Sequence, residues 1–172
     1  MSELIHFETP SPNWNERQLP VSMVVLHYTG MQSADEALAR LCDEVAQVSA
    51  HYLIEEDGTV HRLVREDRRA WHAGKSHYRG RDDCNDDSIG IELEGLEGQR
   101  FEDAQYETLS SLCAVLLAHY PIAHLAGHEH VAPDRKQDPG PGFDWSRLQK
   151  SLGLPAQCFP EAVRSQTTVA PG

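Results

Sequence analysis

The spacing of apolar positions divides the chain into short strand-like and helix-like segments. Met23-Val24-Val25-Leu26-His27 is a continuous apolar run ending on a histidine, the pattern of a buried strand. Ser33-Ala34-Asp35-Glu36 has the hydroxyl-to-carboxylate spacing of a capping box. Ala34, Ala37, Leu38, Leu41 and Val45 then recur at helical intervals and predict a helix to about residue 46. Residues 50–54 and 59–64 flank Asp57-Gly58, a pair that accepts positive φ, and predict a hairpin. Residues 67–87 are polar and rich in Gly, Arg and His, so a long functional loop is expected there. Residues 88–93 alternate as a strand, with Ile89, Ile91 and Leu93 opposite Ser88, Gly90 and Glu92. The inner Gly90 permits close approach by a neighbour.

Further along, Tyr106, Leu109, Leu112, Cys113, Leu116 and Leu117 mark the inner face of a helix over 103–119. A short strand is expected over 122–126, and Asp144 caps a helix reaching about residue 152. Strands and helices interleave, which predicts an α/β domain built on a single mixed β-sheet flanked by helices. The expected division is an irregular, proline-interrupted N-terminal arm over 1–20, a domain over 21–154, and a flexible C-terminal tail over 155–172.

Composition narrows the function classes. The 172 residues carry 15 Lys and Arg against 27 Asp and Glu, a formal charge of −12. A nucleic-acid binder needs the opposite surplus, and so does a protein held to an anionic bilayer. No apolar run approaches the roughly 20 residues of a membrane span. The start, Met1-Ser2-Glu3-Leu4, has neither a basic nor an apolar leader segment, so a cytoplasmic location is expected, or a periplasmic one if a leader has been removed. Cys42, Cys84, Cys113 and Cys158 form no Cys-x-x-Cys pair and are expected as reduced thiols. Ten histidines on this acidic background point towards metal or proton chemistry without locating it.

Three positions have the residue types of a catalytic metal site with an open coordination position. His27 ends one predicted strand, His128 follows another, and Asp138 stands in the Pro/Gly-constrained loop beyond. A histidine at a strand end is nonetheless more often a hydrogen-bonded structural residue. Glu92 is either a carboxylate aimed into a cleft and suited to general-base work, or part of the wet side of an edge strand. Lys136 is two residues from Asp138, so both side chains share a face in an extended loop. It is either an oxyanion-stabilising cation or an ordinary surface lysine.

The ordered segments His27-Tyr28-Thr29, Ser49-Ala50-His51-Tyr52-Leu53-Ile54, Ala70-Trp71-His72-Ala73-Gly74, Asn85-Asp86-Asp87-Ser88-Ile89-Gly90-Ile91-Glu92-Leu93-Glu94-Gly95 and Gly127-His128 closely resemble the zinc-dependent N-acetylmuramoyl-L-alanine amidases. These are the AmpD and AmiD type, related to peptidoglycan recognition proteins. The block Ala132-Pro133-Asp134-Arg135-Lys136-Gln137-Asp138-Pro139-Gly140-Pro141 is the most diagnostic piece. The resemblance implies an amidase fold and one Zn²⁺ per chain on His27, His128 and Asp138. It implies that Glu92 moves the proton and Lys136 holds the oxyanion. The bond cut would join the lactyl group of N-acetylmuramic acid to L-alanine. Muropeptides would be the partners of a monomeric chain, with Tyr28, His51, Trp71 and His72 as substrate contacts. His51 is alternatively a packed strand residue, and Trp71 alternatively anchors its loop. A relative that binds muropeptides without cutting them is the alternative to an enzyme. Only 21 residues separate His27 from Ser49, as in the AmiD type, and Gln47 and Asp83 stand where the AmpD type carries arginines. Tolerance of both 1,6-anhydro and ordinary muramyl ends is therefore expected.

Overall fold

The apolar run at residue 23 becomes the spine of the sheet. The computed structural model describes residues 4–164. The strands are β1 (Phe7–Glu8), β2 (Trp14–Glu16), β3 (Met23–Tyr28), β4 (Tyr52–Ile54), β5 (Val60–Arg62), β6 (Arg68–Ala70), β7 (His77–Tyr78), β8 (Arg81–Asp82), β9 (Ser88–Leu93) and β10 (His124–Gly127). The helices are α1 (Ala34–Leu41), α2 (Asp103–His119), α3 (His128–Val131), α4 (Trp145–Leu152) and α5 (Glu161–Arg164). The main sheet has the order β1-β5-β4-β9-β3-β10. Only β4 and β5 run antiparallel in it, so the sheet is mixed as expected.

The period-2 alternation of β3 and β9 sends their side chains to two different cores. Val24, Leu26, Ile89, Ile91 and Leu93 pack against Leu109, Leu112 and Leu116 of α2, all essentially without solvent exposure. Burial of each such side chain contributes roughly 1.5–3 kcal/mol. Met23 and Val25 point the other way, towards Ala73 and Cys84 of the long loop. His27, Gly90 and Glu92 share that second face. Because β9 lies between β4 and β3, this face is not the wet side of an edge strand. The parallel strands β3, β9 and β10 end on one edge, where α/β sheets gather binding groups.

Four expectations needed correction. Helix α1 stops at Leu41 rather than near residue 46; Asp43 caps a separate 3-10 turn over Glu44–Ala46, leaving Val45 exposed. The loop over 67–87 is not structureless: β6 pairs with β2, and β7 with β8. The N-terminal arm is tied down by β1 on β5 and β2 on β6. The segment after Pro155 does not simply trail away: Phe159 and Val163 are buried in the main core. Residues 165–172 of the expected tail lie outside the described residues. Cys42, Cys84, Cys113 and Cys158 are all unpaired. No helix among the described residues is long and apolar enough to cross a membrane.

Candidate metal centre

Strand register brings the first two residues together. His27 on β3 lies directly across from Glu92 on β9. Leu26 is across from Gly127, the last residue of β10, so His128 emerges beside His27. Asp138 returns through the loop after α3. Its carbonyl accepts from the Glu129 N–H at 2.9 Å, and the Glu129 carboxylate accepts from the Gly140 N–H at 3.3 Å. Gly127 makes that return possible, because a Cβ there would meet Pro139 Cδ at 2.5 Å.

Three ligand-type atoms converge as a result. His27 Nδ1 is 3.0 Å from His128 Nδ1 and 2.9 Å from Asp138 Oδ2, and His128 Nδ1 is 3.2 Å from the same oxygen. All three residues are buried. Burial lowers His27 to about 4, so it is neutral near pH 7. Burial alone would raise Asp138, but hydrogen bonds that Nδ1–H groups of His128 and His27 would donate outweigh that and hold it below the ordinary carboxylate range, and a bound cation would replace those protons. Two imidazoles and one carboxylate are the donor set that a zinc-type divalent ion takes in open catalytic sites. His128 Nε2–H donates to the Ala73 carbonyl at 3.0 Å, so Nδ1 is the atom it turns towards His27 and Asp138.

Glu92 borders the same cleft. Although the residue is partly exposed, its Oε2 atom is buried and has no hydrogen-bond partner. Burial, and then the charge of Asp138, push its carboxyl well above the ordinary value, while Lys136 pulls it down. An unpartnered carboxylate with this bias is suited to accept and return a proton. Lys136 lines the cleft beside it, in a cavity of about 470 Å³ that also includes Tyr28, His72 and Gln137.

The remaining expected substrate contacts separate. Tyr28 lines the cleft. His51 does not: it is fully buried, accepts from the Gly90 N–H at 3.0 Å and has Nε2 3.0 Å from the Arg68 carbonyl. Its expected place among substrate contacts is therefore corrected to packing beneath β9. Burial lowers it to about 3. Trp71 turns away from the cleft, its indole N–H donating to Asn15 of the arm at 2.7 Å. His72 touches the cavity edge but is buried, and both its ring nitrogens are engaged by the protein. It therefore lines the cavity with no ring nitrogen left free.

Several supporting residues carried no individual role in the sequence. Asn85 Oδ1 accepts from the backbone N–H groups of His72 and Ala73 at 3.0 and 2.7 Å. Arg135 donates to the Ala73 carbonyl at 2.6 Å. Arg17 reaches the carbonyls of Glu66, Arg68, Asn85, Asp86 and Ser88 at 2.7–3.4 Å, joining the arm to the loop behind the site. Partners that distant in sequence leave no periodic trace.

A buried two-histidine, one-carboxylate group that could hold a metal ion, at the strand ends beside an unpartnered glutamate, has the residue types of a hydrolytic site. Comparison with known proteins narrows this. The chain belongs to the N-acetylmuramoyl-L-alanine amidase family, whose model matches residues 17–141. It is 51% identical over 110 residues to the 1,6-anhydro-N-acetylmuramyl-L-alanine amidase AmpD of Salmonella typhimurium (strain SL1344). That alignment covers 63% of this chain and 59% of the relative, so the match spans little more than half the relative's length. The fold superimposes on a crystal structure of a selenomethionine AmpD derivative with a TM-score of 0.79 and 40% identity, covering 84% of this chain and 93% of that one. It also superimposes on Escherichia coli AmiD in complex with anhydro-N-acetylmuramic acid-L-Ala-D-gamma-Glu-L-Lys, with a TM-score of 0.72 and 37% identity, covering 80% and 60%.

Proposed function

We propose that the chain hydrolyses the amide bond between the lactyl group of N-acetylmuramic acid and L-alanine in peptidoglycan fragments, 1,6-anhydromuropeptides included. The observation that carries this is the buried His27–His128–Asp138 group set beside the unpartnered Glu92 carboxylate. The amidase family model and the muropeptide complex of AmiD support the substrate class. His27 Nδ1, His128 Nδ1 and Asp138 would hold one Zn²⁺, which when bound lowers the pKa of water and polarises a carbonyl. Glu92 takes the proton of the attacking water and returns it to the L-alanine nitrogen as the C–N bond breaks. Lys136 sets its ammonium group near the oxygen that becomes negative. Tyr28 forms part of the wall against which the substrate lies, and the catalytic unit over 21–154 is completed by the strands of the arm and by Phe159 and Val163 in its core.

Mass spectrometry of products from purified muropeptides tests bond and substrate together. Free stem peptide plus the intact sugar is expected from both anhydro and ordinary muramyl forms. Release from one form alone would remove the broader tolerance. Chelation should abolish hydrolysis and Zn²⁺ restore it; full turnover in chelator would refute the metal mechanism.

A further inference from the structure

Behind His27, on the side away from Asp138, runs a chain of polar contacts. His27 Nε2 is 3.0 Å from His72 Nδ1, and His72 Nε2 is 3.0 Å from Ser88 Oγ. The Ser88 hydroxyl in turn donates to the Cys84 carbonyl. Counting donors inward from the Cys84 carbonyl gives each proton of this chain a place. A carbonyl oxygen only accepts, so the single Ser88 proton points at Cys84. Ser88 Oγ must then accept from His72, which places the His72 proton on Nε2. His72 Nδ1 is left as an acceptor, so the His27 proton lies on Nε2. His27 Nδ1 is therefore bare, and it is the atom that faces Asp138 and His128.

The other tautomer would close the site on itself. A His27 proton on Nδ1 would donate to Asp138 Oδ2, 2.9 Å away, and occupy the lone pair a cation requires. We propose that His72 and Ser88 are positioning residues forming a tautomer lock that denies His27 this self-bonded state, a role that rests on the metal assignment above. The surroundings hold the lock rigidly. Ser88 is fully buried and His72 nearly so. Gly90 leaves room for the ring, and the Asn85 amide fixes the backbone on both sides of the His72 carbonyl. Outer partners of this kind orient metal-binding imidazoles, and their loss costs about 10- to 100-fold in metal affinity.

Long-range ¹H–¹⁵N correlation spectra of the metal-free chain at pH 8 read the His27 tautomer directly, and chelator competition reads Zn²⁺ affinity. The parent chain should show His27 protonated on Nε2. Ser88→Ala removes one buried hydroxyl, frees the His72 tautomer, and should populate Nδ1–H at His27 while weakening Zn²⁺ about 10- to 100-fold. His72→Leu should do the same. His72→Asn, which sets an amide oxygen near the position of the lost Nδ1, should restore both readouts. A parent His27 protonated on Nδ1, or a Ser88→Ala variant with unchanged tautomer and affinity, would overturn the lock. A parent chain with the Nε2–H form that binds no Zn²⁺ would instead overturn the metal assignment and leave the lock supported.

Discussion

Gly90→Ala tests whether the site depends on close approach between strand and ring. A Cβ at Gly90 would lie 2.4 Å from His72 Cγ, 2.6 Å from Cδ2 and 2.7 Å from Nδ1. Ordinary carbon contacts begin near 3.5 Å, so the ring must retreat by about 1 Å. The backbone at Gly90 is not in the left-handed region. Alanine itself is therefore favoured there by roughly 0.5–1 kcal/mol, and any loss must come from the collision. Overpacking of this kind costs about 1–3 kcal/mol. A 1 Å retreat also stretches the 3.0 Å bonds to His27 and Ser88 beyond bonding range, at about 1 kcal/mol each. The net expectation is a loss of about 2–4 kcal/mol, or a Tm lower by roughly 4–16 °C for a chain of this size. Thermal and urea unfolding measure it, and Zn²⁺ affinity should fall in the same variant. A variant as stable as the parent, with undiminished affinity, would show that the ring has slack and that Gly90 does not position His72.

The other expectations concern the proton carrier and the arm. Glu92→Gln should keep Zn²⁺ and lose most turnover; an active variant would remove Glu92 from its role. The raised Glu92 carboxyl also has a stability consequence. A carboxyl whose folded pKa is raised binds more protons folded than unfolded above the ordinary carboxylate range, so its contribution to stability falls as pH rises there. Metal-free Glu92→Gln should thus be more stable than the parent at pH 8, with the gap closing towards pH 4 in paired unfolding curves. Lys136→Met removes the charge that pulls Glu92 down. The acid limb of the kcat/KM profile should then move to higher pH, and an unmoved limb would separate the two residues. Arg17→Met withdraws a charged donor from five carbonyls; at about 1.5–3 kcal/mol per charged bond, with water replacing part of the loss, about 3–5 kcal/mol should go. A loss below 1 kcal/mol by urea unfolding would make the arm dispensable.

Much of the sheet was legible because its strands are buried on both faces or alternate cleanly, and α2 because its inner face keeps helical spacing over 17 residues. His27 and His128 were visible as histidines at strand ends. Asp138 was not, by spacing alone, because its position depends on Gly127 and Glu129 capturing a returning loop. Glu92 shows the limit most clearly. Alternation correctly set it opposite Ile91, but whether that face was wet or dry depended on β9 being central, a property of strand order that no local pattern carries. The inward bonds of His72 are hidden for a related reason. A histidine in a polar loop suggests substrate, whereas its ring is aimed inward by Asn85 and accommodated by Gly90, residues 13 and 18 positions later.

The two candidate ligand histidines obtain position and proton placement from different sources. Strand pairing sets where His27 and His128 begin, through the registers of β3 with β9 and β10. Their protons are set from one short loop, His27 by the His72 ring and His128 by the Ala73 carbonyl. Asn85 clamps His72 and Ala73 through a single amide oxygen. A disturbance of residues 72–73 therefore reaches both imidazoles at once, while the sheet beneath stays intact. Metal bound to the folded site adds stability in proportion to RT ln(1 + [L]/Kd). Substitutions at Asn85 should accordingly lower the Zn²⁺-induced rise in Tm more than they lower the Tm of the metal-free chain. Equal losses in the two states would mean that the loop supports the fold alone and that the metal site is organised from the sheet.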